Sequence, residues 1–88
     1  MCIRDRSAAT VKRVSQELGG KSANIILDDD SFTKSITNGV THVMSNTGQS
    51  CNAPTRMLIP ASRLSEGLLI GKETCDSLIT GEPSNAST

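Results

Sequence analysis

Short apolar runs alternate with longer amphipathic stretches along this chain. Ala23-Asn24-Ile25-Ile26-Leu27 is too short a run for a helix and carries two β-branched residues, so it reads as a buried strand stopped by Asp28-Asp29-Asp30. Phe32, Ile36, Val40, Val43 and Met44 then recur at helical spacing. Asp30 or Ser31 can cap that helix, and Asn46-Thr47-Gly48 can end it. Met57-Leu58-Ile59 is a second short run, stopped by Pro60. A second helix is expected from about Ser62, with Glu66 in its first turn and Gly81 and Pro83 closing it. Its apolar stripe is Leu64, Leu68, Cys75, Leu78 and Ile79. Upstream, Val11 to Leu18 is expected as a strand ended by Gly19-Gly20. Met1-Cys2-Ile3-Arg4-Asp5-Arg6 shows no periodicity, and residues 1–10 read as a non-native or disordered leader.

Two short apolar strands joined through a helical segment suit a parallel crossover. The fold class expected is therefore α/β, as a partial βαβα unit with an incomplete sheet. Parallel strands need helices on both faces, and one crossover supplies only one of them. Composition points the same way. Of 88 residues, 35% are apolar and Phe32 is the single aromatic, so large side chains that bury area cheaply are scarce. A chain of this kind reads as part of a larger folded unit.

Charge narrows the partners. Nine basic residues balance nine acidic ones, which gives no electrostatic footprint for nucleic acid. No apolar run approaches the roughly eighteen residues of a membrane span, and the first ten residues hold no signal-peptide core. The expected setting is the reducing cytoplasm, where the three cysteines stay free.

Several residues could carry chemistry. Gly20-Lys21-Ser22 imitates the tail of a phosphate-binding loop, but Ser15 stands where its first glycine should be, and a strand rather than a helix follows. Cys51, Cys75 and His42 have no metal-ligand spacing, so no metal site is expected. Cys51 follows Gly48-Gln49-Ser50 and precedes Asn52-Ala53-Pro54. Pro54 is acceptable in the first turn of a helix beginning near Cys51, and the positive end of such a helix would favour a thiolate. The bland alternative is a small buried hydrophobe, as most free cysteines are. Cys75, on an apolar stripe, reads as core. Glu17, followed by Leu18 and two glycines, reads on its own as a strand-end charge.

Glu17-Leu18-Gly19-Gly20-Lys21-Ser22 and Gly48-Gln49-Ser50-Cys51 together resemble the two active-site signatures of the NAD(P)-dependent aldehyde dehydrogenase superfamily. They stand 34 residues apart, the separation that family keeps. Asn52-Ala53-Pro54-Thr55-Arg56 and Gly81-Glu82-Pro83 fit as well, and the likeness runs from about Val11 to Thr88. The resemblance implies that Cys51 attacks an aldehyde, that hydride leaves to NAD or NADP, and that Glu17 activates the water that hydrolyses the thioester. It places Leu18 and Gly19 against the nicotinamide end of the cofactor. By the same likeness, residues 11–18 would close a coenzyme-binding domain and residues 19–88 would begin a catalytic domain. The nucleotide site, the asparagine that completes the oxyanion hole and the downstream glutamate–phenylalanine segment have no counterpart here. The isolated chain is accordingly expected to be inactive, and a full-length enzyme to form a homo-oligomer. Two other classes stay open: a thiol hydrolase or acyltransferase using Cys51 with His42 as base, and a non-catalytic interaction module.

Overall fold

The structure, a computed structural model, describes residues 2–88. Its elements in order are helix α1 (Ile3–Ala8), strand β1 (Ala23–Ile25), helix α2 (Phe32–Met44), strand β2 (Arg56–Leu58) and helix α3 (Leu64–Ser77). β1 and β2 pair in parallel, with Ala23 opposite Arg56, Asn24 opposite Met57 and Ile25 opposite Leu58. α2 is the crossover between them, so the expected α/β crossover unit is present.

The residues on either side of β1 alternate as a strand should. Ile26 is buried, and Asn24 and Met57 are half-buried towards α2. Ile25 and Leu58 point the other way and stay 67% and 50% exposed. One face of the sheet is thus covered, and the other is bare although it carries Ile25 and Leu58. Among the described residues, Phe32 and Ile36 are the largest fully buried side chains, and with Ile26 they form the core. Val40, Met57, Ile59 and Ile70 pack around it.

α2 follows the expected periodicity, but its start differs. Neither Ser31 nor Asp30 makes a side-chain cap. Instead the Asp29 carboxylate accepts from the Ser31 N–H at 2.9 Å, turning the chain into the helix one residue earlier. At the start of α3, Arg63 binds this same corner. Its guanidinium stacks 3.7 Å above the Phe32 ring, donates twice to Glu66 at 2.9 Å and reaches Asp28 at 3.1 Å.

Three expectations need correction. Residues 11–18 form no strand; they are almost wholly exposed, and no strand lies beside them to complete a ladder. Residues 3–8, set aside as leader, are helical, with no buried residue among them; Met1 lies outside the described residues. The third concerns α3. Leu64, Leu68 and Cys75 face outward, Leu68 being 64% exposed. The face against α2 carries Gly67, Ile70, Gly71 and Thr74, one position out of phase with the expected stripe. α3 also stops at Ser77, four residues before Gly81. In its last turns the Thr74 hydroxyl donates to the Ile70 carbonyl at 2.8 Å and the Ser77 hydroxyl to the Thr74 carbonyl at 2.7 Å, offering the backbone local partners outside the helix ladder.

The molecule is extended. Its radius of gyration is 18.4 Å, whereas a compact chain of this length would have about 12 Å. It exposes 7094 Å², against roughly 5,000 Å² for a compact monomer of its mass.

Candidate active site

Two loops meet at the amino ends of the paired strands. The first runs into β1 and carries Glu17, Leu18, Gly19, Gly20 and Lys21. The second connects α2 to β2 and carries Gly48 to Thr55. Because β1 and β2 are parallel and in register, the residues preceding each strand are brought to the same edge. Between them lies a cleft of about 460 Å³, lined by Glu17, Gly19, Gly20 and Lys21 on one side and by Gly48, Gln49, Ser50, Cys51, Ala53 and Thr55 on the other.

The second loop is built by backbone geometry. α2 ends as Ser45 turns extended, its N–H bonded to the His42 carbonyl. Asn46, Thr47 and Gly48 then take consecutive left-handed conformations, with φ of 53°, 59° and 73°. Glycine adopts this region freely and asparagine tolerates it, but a β-branched threonine is strained there. The turn is held by the Gln49 N–H on the Asn46 carbonyl at 3.0 Å and the Asn46 Nδ2 on the Gln49 carbonyl at 3.1 Å. Stored strain of this kind often marks a functional loop.

Cys51 and Asn52 are the central residues of a tight turn closed by the Ala53 N–H on the Ser50 carbonyl at 3.0 Å. No helix begins here, which corrects the expectation of a helix-end field at the thiol. Pro54 disfavours helical geometry at Ala53, so a helix starting at Cys51 would end after two residues. Ala53 is buried beneath the loop and Cys51 is exposed above it. The sulfur is therefore not a small core hydrophobe.

The first loop has little beneath it. Glu17, Leu18, Gly19 and Gly20 are exposed, and a Cβ at either glycine would meet open space. A flat ring could therefore approach this backbone closely. Gly19 lines the cleft with Glu17, whereas Leu18 turns to a neighbouring cleft with Val14 and Ile3, to which Glu17 also contributes. Lys21 also lines the cleft, and its ammonium donates to the Gly20 carbonyl at 3.5 Å.

His42 lies elsewhere, in a polar cleft with Asn24, Ser35 and Asn38. Cys75 is on the far helix and Cys2 beside α1. Among the described residues, no group of three histidine, cysteine or acidic side chains could hold a metal ion, and no helix is long and apolar enough to cross a membrane. Ligands of open α/β sheets usually sit at the carboxyl ends of strands. Here that end is occupied by the Arg63–Asp28–Glu66 cluster, and the cleft is at the opposite one.

The chain is similar to known proteins in sequence and fold. A family model described as the aldehyde dehydrogenase family matches residues 1–88. A 3-succinoylsemialdehyde-pyridine dehydrogenase from a Pseudomonas species is 51% identical over 82 residues, covering 93% of this chain and 17% of that protein. A protein assigned as an aldehyde dehydrogenase in Staphylococcus epidermidis is 40% identical over 86 residues, 98% of this chain and 18% of the relative. A solved structure of a cysteine-to-alanine mutant of aldehyde dehydrogenase C from Pseudomonas syringae, in complex with NAD+ and octanal, matches with a TM-score of 0.90 and 44% identity over 97% of this chain and 18% of that one. The chain thus spans less than a fifth of the length of these relatives.

Proposed function

Since the chain belongs to the aldehyde dehydrogenase family, we propose that it supplies the nucleophile and the general base of an enzyme oxidising an aldehyde to a carboxylic acid with NAD+ or NADP+. The observation that carries this reading is that Cys51 and Glu17, 34 residues apart in sequence, line one cleft.

The Cys51 sulfur, as thiolate, adds to the aldehyde carbon and forms a tetrahedral hemithioacetal. The exposed turn at Cys51–Asn52 gives the sulfur an unobstructed approach, and the Cys51 N–H is the nearby donor for the developing oxyanion. The nicotinamide, when bound, accepts the hydride that leaves this carbon, and a thioester on Cys51 remains. Glu17 removes a proton from water, the resulting hydroxide attacks the thioester, and the acid leaves with Cys51 restored as thiolate. Covalent catalysis divides one difficult step into two, and base catalysis of the second is worth about 10²–10⁴-fold.

The residues present fit a nicotinamide ring in this cleft: Gly19 and Gly20 present bare backbone with open space above it, and exposed Leu18 adjoins them. Gly19 is the proposed contact inside the cleft, and Leu18, which borders the neighbouring one, would meet the ring from that side. Residues 11–18 would close the coenzyme-binding domain, and residues 19–88 would open the catalytic one. A nucleophilic thiol of this kind suits the reducing cytoplasm.

The test uses a polypeptide that completes this chain to the length of its relatives. Cys51→Ala should abolish the thioester seen by mass spectrometry, whereas Glu17→Gln should let it accumulate and slow its hydrolysis by about 10²–10⁴-fold. Parent-like turnover in Cys51→Ala would refute the assignment.

A further inference from the structure

The two loops of the cleft are tied to each other by a residue with no part in the proton or hydride transfers above. Arg56 opens β2, five positions after Cys51. Its backbone N–H donates to the Ser22 carbonyl at 3.2 Å. Its Nε–H donates to the Lys21 carbonyl at 2.8 Å, across 35 positions of sequence. Among the described residues this is the one side-chain hydrogen bond between the loop of Cys51 and the loop of Glu17. The backbone bond would form with any residue but proline at position 56; the side-chain bond needs a donor on a long stem.

The consequence lies in how Glu17 is tethered. Gly19 and Gly20, between Glu17 and Lys21, have free space where side chains would stand, so packing does not fix them. The direction in which the chain leaves β1 towards Glu17 is set at the Lys21–Ser22 peptide. The Arg56 guanidinium holds the Lys21 carbonyl at that point. We infer that Arg56 is a positioning residue, which fixes the exit of the Glu17 segment and so keeps the carboxylate over the Cys51 thioester. This rests on the reading of Cys51 and Glu17 as one site.

A chain carrying Cys2→Ser, Cys75→Ser and Glu17→Cys retains two thiols, one from each loop, and a short bis-maleimide reports how often they meet. The ratio of internally cross-linked to doubly mono-modified chain is read by intact mass. Hydrogen exchange of the β1–β2 amides monitors the ladder in the same samples. Arg56→Met keeps the stem and removes the donor; it should lower the ratio roughly three- to tenfold, the scale of one solvent-exposed hydrogen bond with a charged donor, with the ladder unchanged. Arg56→Lys, whose ammonium can reach the same carbonyl, should recover part of the loss. An unchanged ratio in Arg56→Met overturns the inference. So does a fall that merely follows loss of ladder protection, since Arg56 would then be structural only. If the parent keeps its ladder and yet does not cross-link, the shared site itself is refuted, a separate result from failure of the Arg56 role.

Discussion

Two glycines on α3 should respond to the same substitution with opposite signs. An added Cβ at Gly67 would stand 2.9 Å from Ile59 Cδ1, 3.3 Å from Ile36 Cδ1 and 3.4 Å from Ile59 Cγ2. Ile36 is fully buried and has no room to retreat. At Gly71 the only neighbour would be Val40 Cγ2 at 4.0 Å, an ordinary contact. Replacing a helical glycine with alanine gains about 1 kcal/mol of helix propensity at either site. At Gly71 nothing opposes it, so Gly71→Ala should stabilise by about 1 kcal/mol. At Gly67 overpacking costs about 1–3 kcal/mol, leaving Gly67→Ala destabilised by about 1 kcal/mol. With a urea m-value near 1 kcal/mol/M for a chain of this size, the midpoints should move by about 1 M in opposite directions. Far-UV circular dichroism of the 88-residue chain reads both. If Gly67→Ala raises the midpoint as much as Gly71→Ala, Ile59 simply swings aside, and the missing Cβ does not set the approach of α3 to α2.

Other outcomes follow from the corner at Arg63 and from the strained loop. Hydrogen bonds from Arg63, with charge attraction adding and desolvation opposing, hold the Glu66 carboxyl below its ordinary range. A depressed carboxylate stabilises fully above that ordinary range, and the contribution disappears as pH falls through the lowered value. Arg63→Met should therefore flatten this part of the acid limb in a series of urea midpoints against pH; an identical limb would refute the linkage. Thr47→Gly should stabilise by about 0.5–1 kcal/mol, because relief of roughly 1–2 kcal/mol of left-handed strain exceeds the added unfolded-state freedom. Gly48→Ala should destabilise by about 1 kcal/mol at its φ of 73°, and thermal melts showing both shifts with one sign would contradict the strain. The 88-residue chain alone, given an aldehyde and NAD+, should form no NADH by absorbance.

What was legible in the sequence was what side chains state locally. Phe32, Ile36 and Val40 mark α2 because their spacing matches the face that is buried. The runs around Ile26 and Met57 mark strands because both carry apolar residues on successive positions. The α3 register was not legible, because Ile70 is the only strongly apolar residue on an inner face otherwise made of Gly67, Gly71 and Thr74, while Leu64 and Leu68 advertise the outer one. Residues 11–18 have strand composition but no partner, and pairing is not a local property. At the cleft, the paired motifs pointed to Glu17 and Cys51 meeting. The turn at Cys51 was missed because the veto of Pro54 on Ala53 outweighs its own acceptability in a first turn. Arg56 was visible as a letter of a motif, yet its partner is a backbone carbonyl 35 positions away, which no residue type betrays.

The parallel pairing of β1 and β2 also governs when this region can form during synthesis. A hairpin closes as soon as its second strand emerges beside the first, but β1 must wait for α2 and the loop behind it. Arg56 follows Ile25 by 31 residues, which at about 5–20 residues per second is roughly 1.5–6 seconds of translation. Through that interval a nascent β1 offers an open backbone edge to chaperones.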